Sequence, residues 1–197
     1  MHGKEPFSIP EDKKLIVLID DDSVTLELAK DILEDKGYRV QTFQAFETAR
    51  QILDSLNPDL IISDLIGHDA MNGVEFYLRH ILERKIQFAI WSGSLNLSSE
   101  QGSKNFGLFL DGMPKNYRIT YSKAAGASKA AGASKAAGAS KATDASKATD
   151  ANSKKAMNQK QMEIIVYDCK NDQQTTFPCF EKPANIDEIL QYFKLSF

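Results

Sequence analysis

The stretch LIVLIDDDS, residues 15–23, places three carboxylates directly behind an unbroken apolar run. A short run of this kind is typical of a strand covered on both faces, as in the parallel sheets of α/β proteins. Neighbouring carboxylates raise one another's pKa unless a positive charge lies between them. Because the apolar run fixes Asp20, Asp21 and Asp22 at the end of a strand, the stretch predicts a cation site there.

Apolar runs and amphipathic stretches alternate along the chain after this first strand. A helical pattern begins at Ser23 and stops at Gly37. The alternation then continues with strands at YRVQTF, DLIIS, IQFAIW and FPCFE, and with helices at AFETARQILDSLN, GVEFYLRHILERK and IDEILQYFKLSF. Strands that alternate with helices predict a parallel sheet with right-handed crossovers.

A basic and repetitive insertion interrupts the pattern. SKAAGA occurs three times from residue 122 and is followed by SKATDA twice, and residues 103–160 hold eleven basic residues against three acidic ones. Alanine methyl groups bury too little apolar area to offset the entropy cost of ordering the arm. We therefore expect a single domain formed by residues 11–97 and 162–197, an insertion over 98–161, and a disordered arm over 122–161 within it.

Two alternating stretches flank the arm. YRITY (117–121) and MEIIVYD (162–168) have the pattern of strands. Closing a long loop between paired strands costs little more than closing a short one, since the cost grows with the logarithm of length. The two stretches therefore predict a β-hairpin with the repeats at its tip and a second turn at KNDQ.

Polar side chains stand at the ends of several predicted strands. The three aspartates follow the first strand, Asp64 follows the third, Ser92 the fourth and Lys182 the fifth. Ligands bind beyond the carboxyl ends of the strands in open α/β sheets. Carboxylates, a hydroxyl and an ammonium are therefore expected to converge on one edge of this sheet.

These pieces, taken as an ordered set, resemble the receiver domain of two-component response regulators. The matching segments are LIVLIDDDS, PDLIISDL followed by NGVEF, IWSGS, and FEKPANIDEIL. The resemblance covers nearly everything outside the insertion. It implies a doubly wound, five-stranded parallel sheet of the flavodoxin-like type, with strand order 2-1-3-4-5.

The resemblance also implies a phosphoacceptor and a metal. Asp64 would take a phosphoryl group from a sensor histidine kinase or a phosphotransfer protein and form an aspartyl phosphate. Asp20, Asp21 and Asp64 would bind Mg²⁺ together with the backbone carbonyl of Ile66, and oxygen ligands of this kind suit that ion. Asp22 is expected instead to cap the helix that follows it.

Further roles come from the same resemblance. Ser92 and Lys182 would contact the phosphoryl group, and Lys182–Pro183 is the step that is commonly cis in the family. Cys179 occupies the switch position, which is often aromatic in receivers. His68, in the loop after the acceptor, is expected to be a solvated loop residue.

Two other classes of function stay open. The haloacid-dehalogenase-like phosphatases begin with an apolar-D-x-D-x-[TV] motif, which Asp20, Asp22 and Val24 satisfy. In that case Asp20 would be the nucleophile, and Asp64 would have no assigned role. The other alternative is a receiver-like scaffold that is never phosphorylated and serves only to dock partners.

The sequence indicates a cytoplasmic protein. It has neither a signal-peptide pattern nor an apolar stretch long enough to span a membrane, and its two cysteines are expected to be free thiols. We expect a stand-alone phosphoacceptor that is not an enzyme and that signals to an unknown downstream protein by contact. Nucleic-acid binding by the basic arm is the less favoured use of that segment.

Overall fold

A computed structural model describes residues 13–68, 71–93, 113–123, 161–183 and 185–195. The sheet strands are β1 (Leu15–Ile19), β2 (Arg39–Phe43), β3 (Leu60–Ser63), β4 (Gln87–Ser92), β5 (Tyr117–Lys123), β6 (Gln161–Asp168) and β7 (Gln173–Glu181). The helices are α1 (Ser23–Asp35), α2 (Phe46–Leu56), α3 (Gly73–Phe76), which continues as a π-helical segment (Tyr77–Ile81), and α4 (Ile186–Tyr192). The arm expected over 122–161 falls almost wholly outside the described residues.

The seven strands form one sheet in the order β2-β1-β3-β4-β7-β6-β5. β2, β1, β3, β4 and β7 run parallel, so the predicted order 2-1-3-4-5 is confirmed with β7 as the fifth parallel strand. The sheet does not end at β7, because β6 pairs antiparallel with β7 and β5 pairs antiparallel with β6. The fold is therefore the expected flavodoxin-like sheet with two further strands at one edge.

The predicted hairpin is confirmed in the pairing of β5 with β6. Tyr117 lies opposite Asp168 at one end of this pair, and Lys123 lies opposite Met162 at the other. The strands extend slightly further than their alternating sequence indicated. Ser122 and Lys123 belong to β5, and Gln161 to β6, although we expected these residues in the arm. Ladder hydrogen bonds between the strands set these ends, and those bonds do not depend on side-chain hydrophobicity.

Both faces of the sheet are covered. One face packs against α1 and α4 through buried residues such as Leu33, Phe180 and Ile189, each 2% exposed or less. The other face packs against α2 and α3 through their residues Phe46 and Phe76, and the hairpin adds Ile164 and Val166 to the same core. Because both faces of the sheet are covered, β1 is wholly apolar and β3 is apolar except for its last residue, Ser63. None of the helices among the described residues has the length and apolar character that crossing a bilayer requires.

The register of the parallel strands aligns their carboxyl ends. Ile19 of β1 lies beside Ser63 of β3, and Ser63 lies beside Ile90 of β4. Further along, Ser92 of β4 lies beside Glu181 of β7. The residues that follow these strands therefore emerge at one edge of the sheet.

Candidate functional site

Backbone hydrogen bonds hold three predicted site residues at the strand ends. The amide of Asp64 donates to the carbonyl of Ile19 over 2.7 Å, and the amide of Lys182 donates to that of Ser92 over 2.9 Å. The amide of Asp20 donates to the carbonyl of Phe43 over 3.0 Å. Each bond continues a sheet ladder by one step, so these residues are fixed by the sheet itself and not by flexible loops.

Three carboxylates meet at this edge. Oxygens of Asp20, Asp21 and Asp64 all lie within 4.8 Å of one another, and we call these three residues the acidic trio. Hard cations such as Mg²⁺ prefer oxygen ligands and need only a few carboxylates, because they keep several bound waters. The donor set of the acidic trio therefore fits the magnesium ion that the family resemblance implied.

Asp22 does not join the acidic trio. Its side chain accepts a hydrogen bond from the amide of Val24 at 3.0 Å and another from the hydroxyl of Thr25 at 2.7 Å. These bonds make it the N-cap of α1, as predicted. The hydrogen bond from Thr25, followed by that from Val24, lowers the pKa of the Asp22 carboxyl below its ordinary value.

Lys182 reaches into the acidic trio from β7. Its Nζ lies 2.5 Å from Oδ2 of Asp20 and 3.9 Å from Oδ2 of Asp64. The same ammonium lies over the ring of Trp91, 5.1 Å from the ring centroid. The Lys182–Pro183 peptide is cis, as the resemblance implied. Lys182 therefore offsets part of the negative charge that the trio concentrates.

Burial and neighbouring groups act on the pKa of the Asp64 carboxyl in opposite directions. Its side chain is only 15% exposed, and burial raises its pKa above the ordinary value. A hydrogen bond with Ser92, the charge of Lys182 and the amide of Leu65 oppose that rise. The Leu65 amide donates to Oδ1 of Asp64 over 2.6 Å, which leaves Oδ2 on the side of Lys182. The carboxylate is thus oriented by its neighbours.

The loop after β3 is tied back to the start of α3. Ile66 forms an isolated antiparallel bridge with Asn72, and the amide of Gly73 donates to the carbonyl of Leu65 over 2.9 Å. The Asn72 side chain caps α3 by accepting from the amide of Glu75 over 2.9 Å. These contacts fix the backbone around Ile66, whose carbonyl stays a predicted metal ligand.

Cys179 lies in the core. It is fully buried, it pairs with Ile90 of β4 on one side and with Met162 of β6 on the other, and burial raises the pKa of its thiol. The role of Cys179 as a switch stays a prediction. The structure does show that β6 covers the strand on which this position lies.

Reasoning from the sequence missed two residues of the site, Gly73 and Trp91, and gave His68 as a solvated loop residue, which its 84% exposure confirms. A Cβ atom at Gly73 would lie 2.4 Å from the carbonyl oxygen of Asp64, so only glycine fits there without movement. His68 places Nδ1 3.2 Å from Oδ2 of Asp21. Trp91, the chain's one tryptophan, lies beneath Lys182. In the sequence, only the position of Trp91 next to Ser92 indicated that it could lie at the site.

Comparison with known proteins gives a family match over part of the chain. Residues 16–106 match the family model of the response regulator receiver domain. The matched segment holds the acidic trio and Ser92, whereas Lys182 lies beyond it. No curated protein matches the chain at a significant level.

Several solved structures, two of them receivers by name, resemble the chain over about half of its length. A CheY-like receiver protein from Methanospirillum hungatei JF-1 is 26% identical, with a TM-score of 0.41, and the match covers 49% of this chain and 77% of that one. The non-phosphorylated HemR receiver domain from Leptospira biflexa is 25% identical, with a TM-score of 0.40, and the match covers 49% and 76%. A fusion that carries a yeast Spc42 coiled coil is 20% identical, with a TM-score of 0.41, over 48% of this chain and 62% of that one. Over residues 16–106 the chain therefore matches the response regulator receiver family.

Proposed function

We propose that Asp64 accepts a phosphoryl group from a phosphohistidine of a sensor histidine kinase or phosphotransfer protein. The observation that carries the proposal is the convergence of Lys182 and Ser92 on the Asp64 carboxylate. Phosphoryl transfer needs mainly positioning and neutralisation of charge, and this arrangement offers both. The phosphorylated chain would then signal by contact with a downstream protein in the cytoplasm, as a phosphoacceptor and not as an enzyme.

The reaction proposed is a displacement at phosphorus. One Asp64 carboxylate oxygen forms the new P–O bond while the P–N bond of the phosphohistidine breaks, and the electron pair of that bond stays on the imidazole. Lys182 and Ser92 are placed to meet the oxygens of the transferred group. Mg²⁺ held by the acidic trio and the carbonyl of Ile66 would supply further neutralisation of charge.

We further propose that the functional unit combines residues 11–97 with 162–197. Lys182 is held in the site because β7 pairs in parallel with β4, from Ile90 opposite Cys179 to Ser92 opposite Glu181. A sheet ladder thus supports the union of two segments that are distant in sequence. The insertion of 98–161 would be an addition to this unit.

Two contacts weigh against the phosphatase alternative. That reading needs Asp20 as nucleophile with Asp22 beside it, but the Asp22 side chain is engaged in capping α1. It also gives no role to Asp64, which lies within the acidic trio and carries the hydrogen bond with Ser92. The phosphoacceptor function accounts for both residues.

The proposal is tested by incubating the protein with Mg²⁺ and a small acyl phosphate and measuring its intact mass. The wild type should gain the mass of one phosphoryl group, and omission of Mg²⁺ should prevent the gain. Asp64→Asn should stay unmodified, with Asp22→Asn as a control that keeps the cap and still gains the group. Modification that persists in Asp64→Asn would contradict the proposal.

A further inference from the structure

We propose that Trp91 is a positioning residue for the phosphoryl transfer, and that the face of its indole ring holds the ammonium of Lys182 against the acidic trio. The inference rests on the proposed function and adds to it the group that orients the phosphoryl-contacting lysine.

The register of the sheet brings the two side chains together. Trp91 of β4 lies beside Phe180 of β7, and both pack into the core on the α1 and α4 side of the sheet. Lys182 follows Phe180 by two residues, and its amide continues the ladder by donating to the carbonyl of Ser92. Side chains alternate along a strand, so Trp91 and Lys182 are diagonal neighbours on one face, about 8 Å apart at their Cα atoms. Aromatic and long side chains span such a separation.

The ammonium lies over the ring at the distance of a cation–π contact. Nζ of Lys182 is 5.1 Å from the centroid of the Trp91 ring. Contacts within about 6 Å are attractive, and tryptophan gives the strongest of them. The Lys182 side chain is only 20% exposed. Because the contact strengthens as the cation loses water, it should contribute more here than at an open surface.

The ring supplies a contact that the carboxylates cannot supply. Nζ of Lys182 lies 2.5 Å from Oδ2 of Asp20, but Asp20 also belongs to the proposed cation site. Its oxygens therefore do not serve Lys182 alone. The contact with Trp91 uses no carboxylate oxygen, so it restrains the flexible lysine side chain without competing for the ligands of the trio.

Hydrogen bonding does not account for the place of the indole. Its Nε1 is buried and has no hydrogen-bond partner among the residues that the structure describes. Buried indole N–H groups usually find such a partner. The face of the ring, and not its N–H group, is thus the part of Trp91 that acts on the site.

Fluorinated tryptophans test the ring face at nearly constant shape. Fluorine withdraws electron density from the ring, so each added fluorine weakens the attraction of a cation. The chain has one tryptophan, so biosynthetic replacement changes position 91 alone. With Mg²⁺ and a small acyl phosphate, the rate of phosphoryl uptake should fall stepwise from tryptophan to tetrafluorotryptophan, about fivefold in all. Trp91→Phe grown on the same analogues is the control, and its rate should not depend on the analogue supplied.

Substitutions extend the test. Trp91→Leu, which keeps an apolar side chain, should slow phosphoryl uptake about tenfold, whereas Trp91→Phe, which keeps an aromatic face, should slow it about threefold. Tyr167→Leu is the matched control, because it removes the contact of Arg118 with the Tyr167 ring in the hairpin. It should take up the phosphoryl group at the rate of the wild type.

Proton NMR reads out the contact itself, without Mg²⁺ or a phosphodonor. The Hε protons of Lys182 should show the upfield shift of protons that lie over an aromatic ring. Trp91→Leu should abolish that shift, and Tyr167→Leu should keep it.

Two outcomes would overturn the inference in different ways. Equal uptake rates across the fluorinated series, or Lys182 protons with no ring shift in the wild type, would remove this role from Trp91 and leave the proposed function intact. A wild type that gains no phosphoryl group would overturn the proposed function, and with it the role of Trp91.

Discussion

At the residue scale, the position of Asp64 depends on a glycine in the next helix. A Cβ atom at Gly73 would lie 2.4 Å from the backbone oxygen of Asp64 and 2.7 Å from Cδ1 of Ile90. Gly73→Ala should therefore displace Asp64, reduce its phosphorylation and lower the free energy of unfolding by about 1–3 kcal/mol, as overpacking does. Urea unfolding and the rate of phosphoryl uptake measure the two effects.

Gly93 provides the matched control for that substitution. A Cβ atom there would lie 3.8 Å from the side chain of Lys182, which is an ordinary contact. Gly93→Ala should unfold at nearly the urea concentration of the wild type. Equal stability of Gly73→Ala and Gly93→Ala would show that the close approach to Asp64 is not a real constraint.

Asp21 and Asp22 are neighbours in sequence with separate roles. Asp21→Ala should weaken Mg²⁺ binding, since it removes one of few charged ligands, whereas Asp22→Ala should leave that binding unchanged. Asp22→Ala should instead lower the urea midpoint of unfolding, because it removes the cap of α1. Mg²⁺ titration and urea unfolding of both variants distinguish these roles, and a loss of Mg²⁺ affinity in Asp22→Ala would contradict them.

The stabilisation from Asp22 should also depend on pH. The hydrogen bonds from Thr25 and Val24 lower its pKa in the folded state. The stabilisation is therefore complete above the ordinary aspartate pKa of about 3.9 and is lost as the pH falls through the lower folded value. The difference in urea midpoint between wild type and Asp22→Ala should be constant near neutrality and narrow in acid. Asp22→Asn can still cap α1 but cannot titrate. The difference in urea midpoint between Asp22→Asn and Asp22→Ala should therefore not narrow in acid.

At the element scale, the hairpin of β5 and β6 covers a strand that would otherwise be at the sheet edge. Cys179 on β7 is fully buried between β4 and β6, whereas Cys169, after β6, is exposed. A thiol reagent applied to the native protein should therefore modify Cys169 alone, and modification of Cys179 should require denaturant. Peptide mass analysis after alkylation reads out both sites, and rapid native labelling of Cys179 would contradict the packing of β6 on β7.

The sequence predicted those elements whose apolar residues decide their conformation. β1, β3 and α1 were located because two-sided burial and helical spacing leave clear patterns. The start of β7 at Gln173 was missed, because its polar first residues are held by pairing with β6 and not by burial. The π-helical segment after α3 was missed as well, since its spacing reads as ordinary helix.

The candidate site was predictable to a similar extent. Asp20, Asp64 and Lys182 follow strands directly, so the parallel topology alone brings them together. The place of Gly73 against the Asp64 carbonyl and the approach of His68 to Asp21 depend on the path of a loop. Composition and periodicity carry no information on such a path.

At the scale of the whole molecule, the segment between β5 and β6 leaves and rejoins the sheet at the edge that carries the site. Lys123 and Met162 form the last pair of β5 and β6, and the start of β6 lies beside Phe180, just before Lys182. Replacing residues 124–161 by an Asn-Gly turn should leave this pair intact, because paired strands are close enough for a two-residue connection. The shortened chain should melt at or above the temperature of the full chain, since the shorter loop costs less entropy to close.

Circular dichroism melting and phosphoryl uptake of the shortened chain test this expectation. Uptake should stay close to that of the full chain, because the acidic trio, Ser92 and Lys182 are held by the sheet. A shortened chain that fails to fold would show that the repeats contribute to the core.

The central claim, that Asp64 is the phosphoacceptor, is tested most directly by trapping the acyl phosphate. The protein is treated with Mg²⁺ and a small acyl phosphate, then reduced with borohydride, which converts an aspartyl phosphate to homoserine, and the product is located by peptide mass sequencing. The account predicts homoserine at position 64 and at no other aspartate. Homoserine at position 20, or at none of the aspartates of the acidic trio, would contradict it.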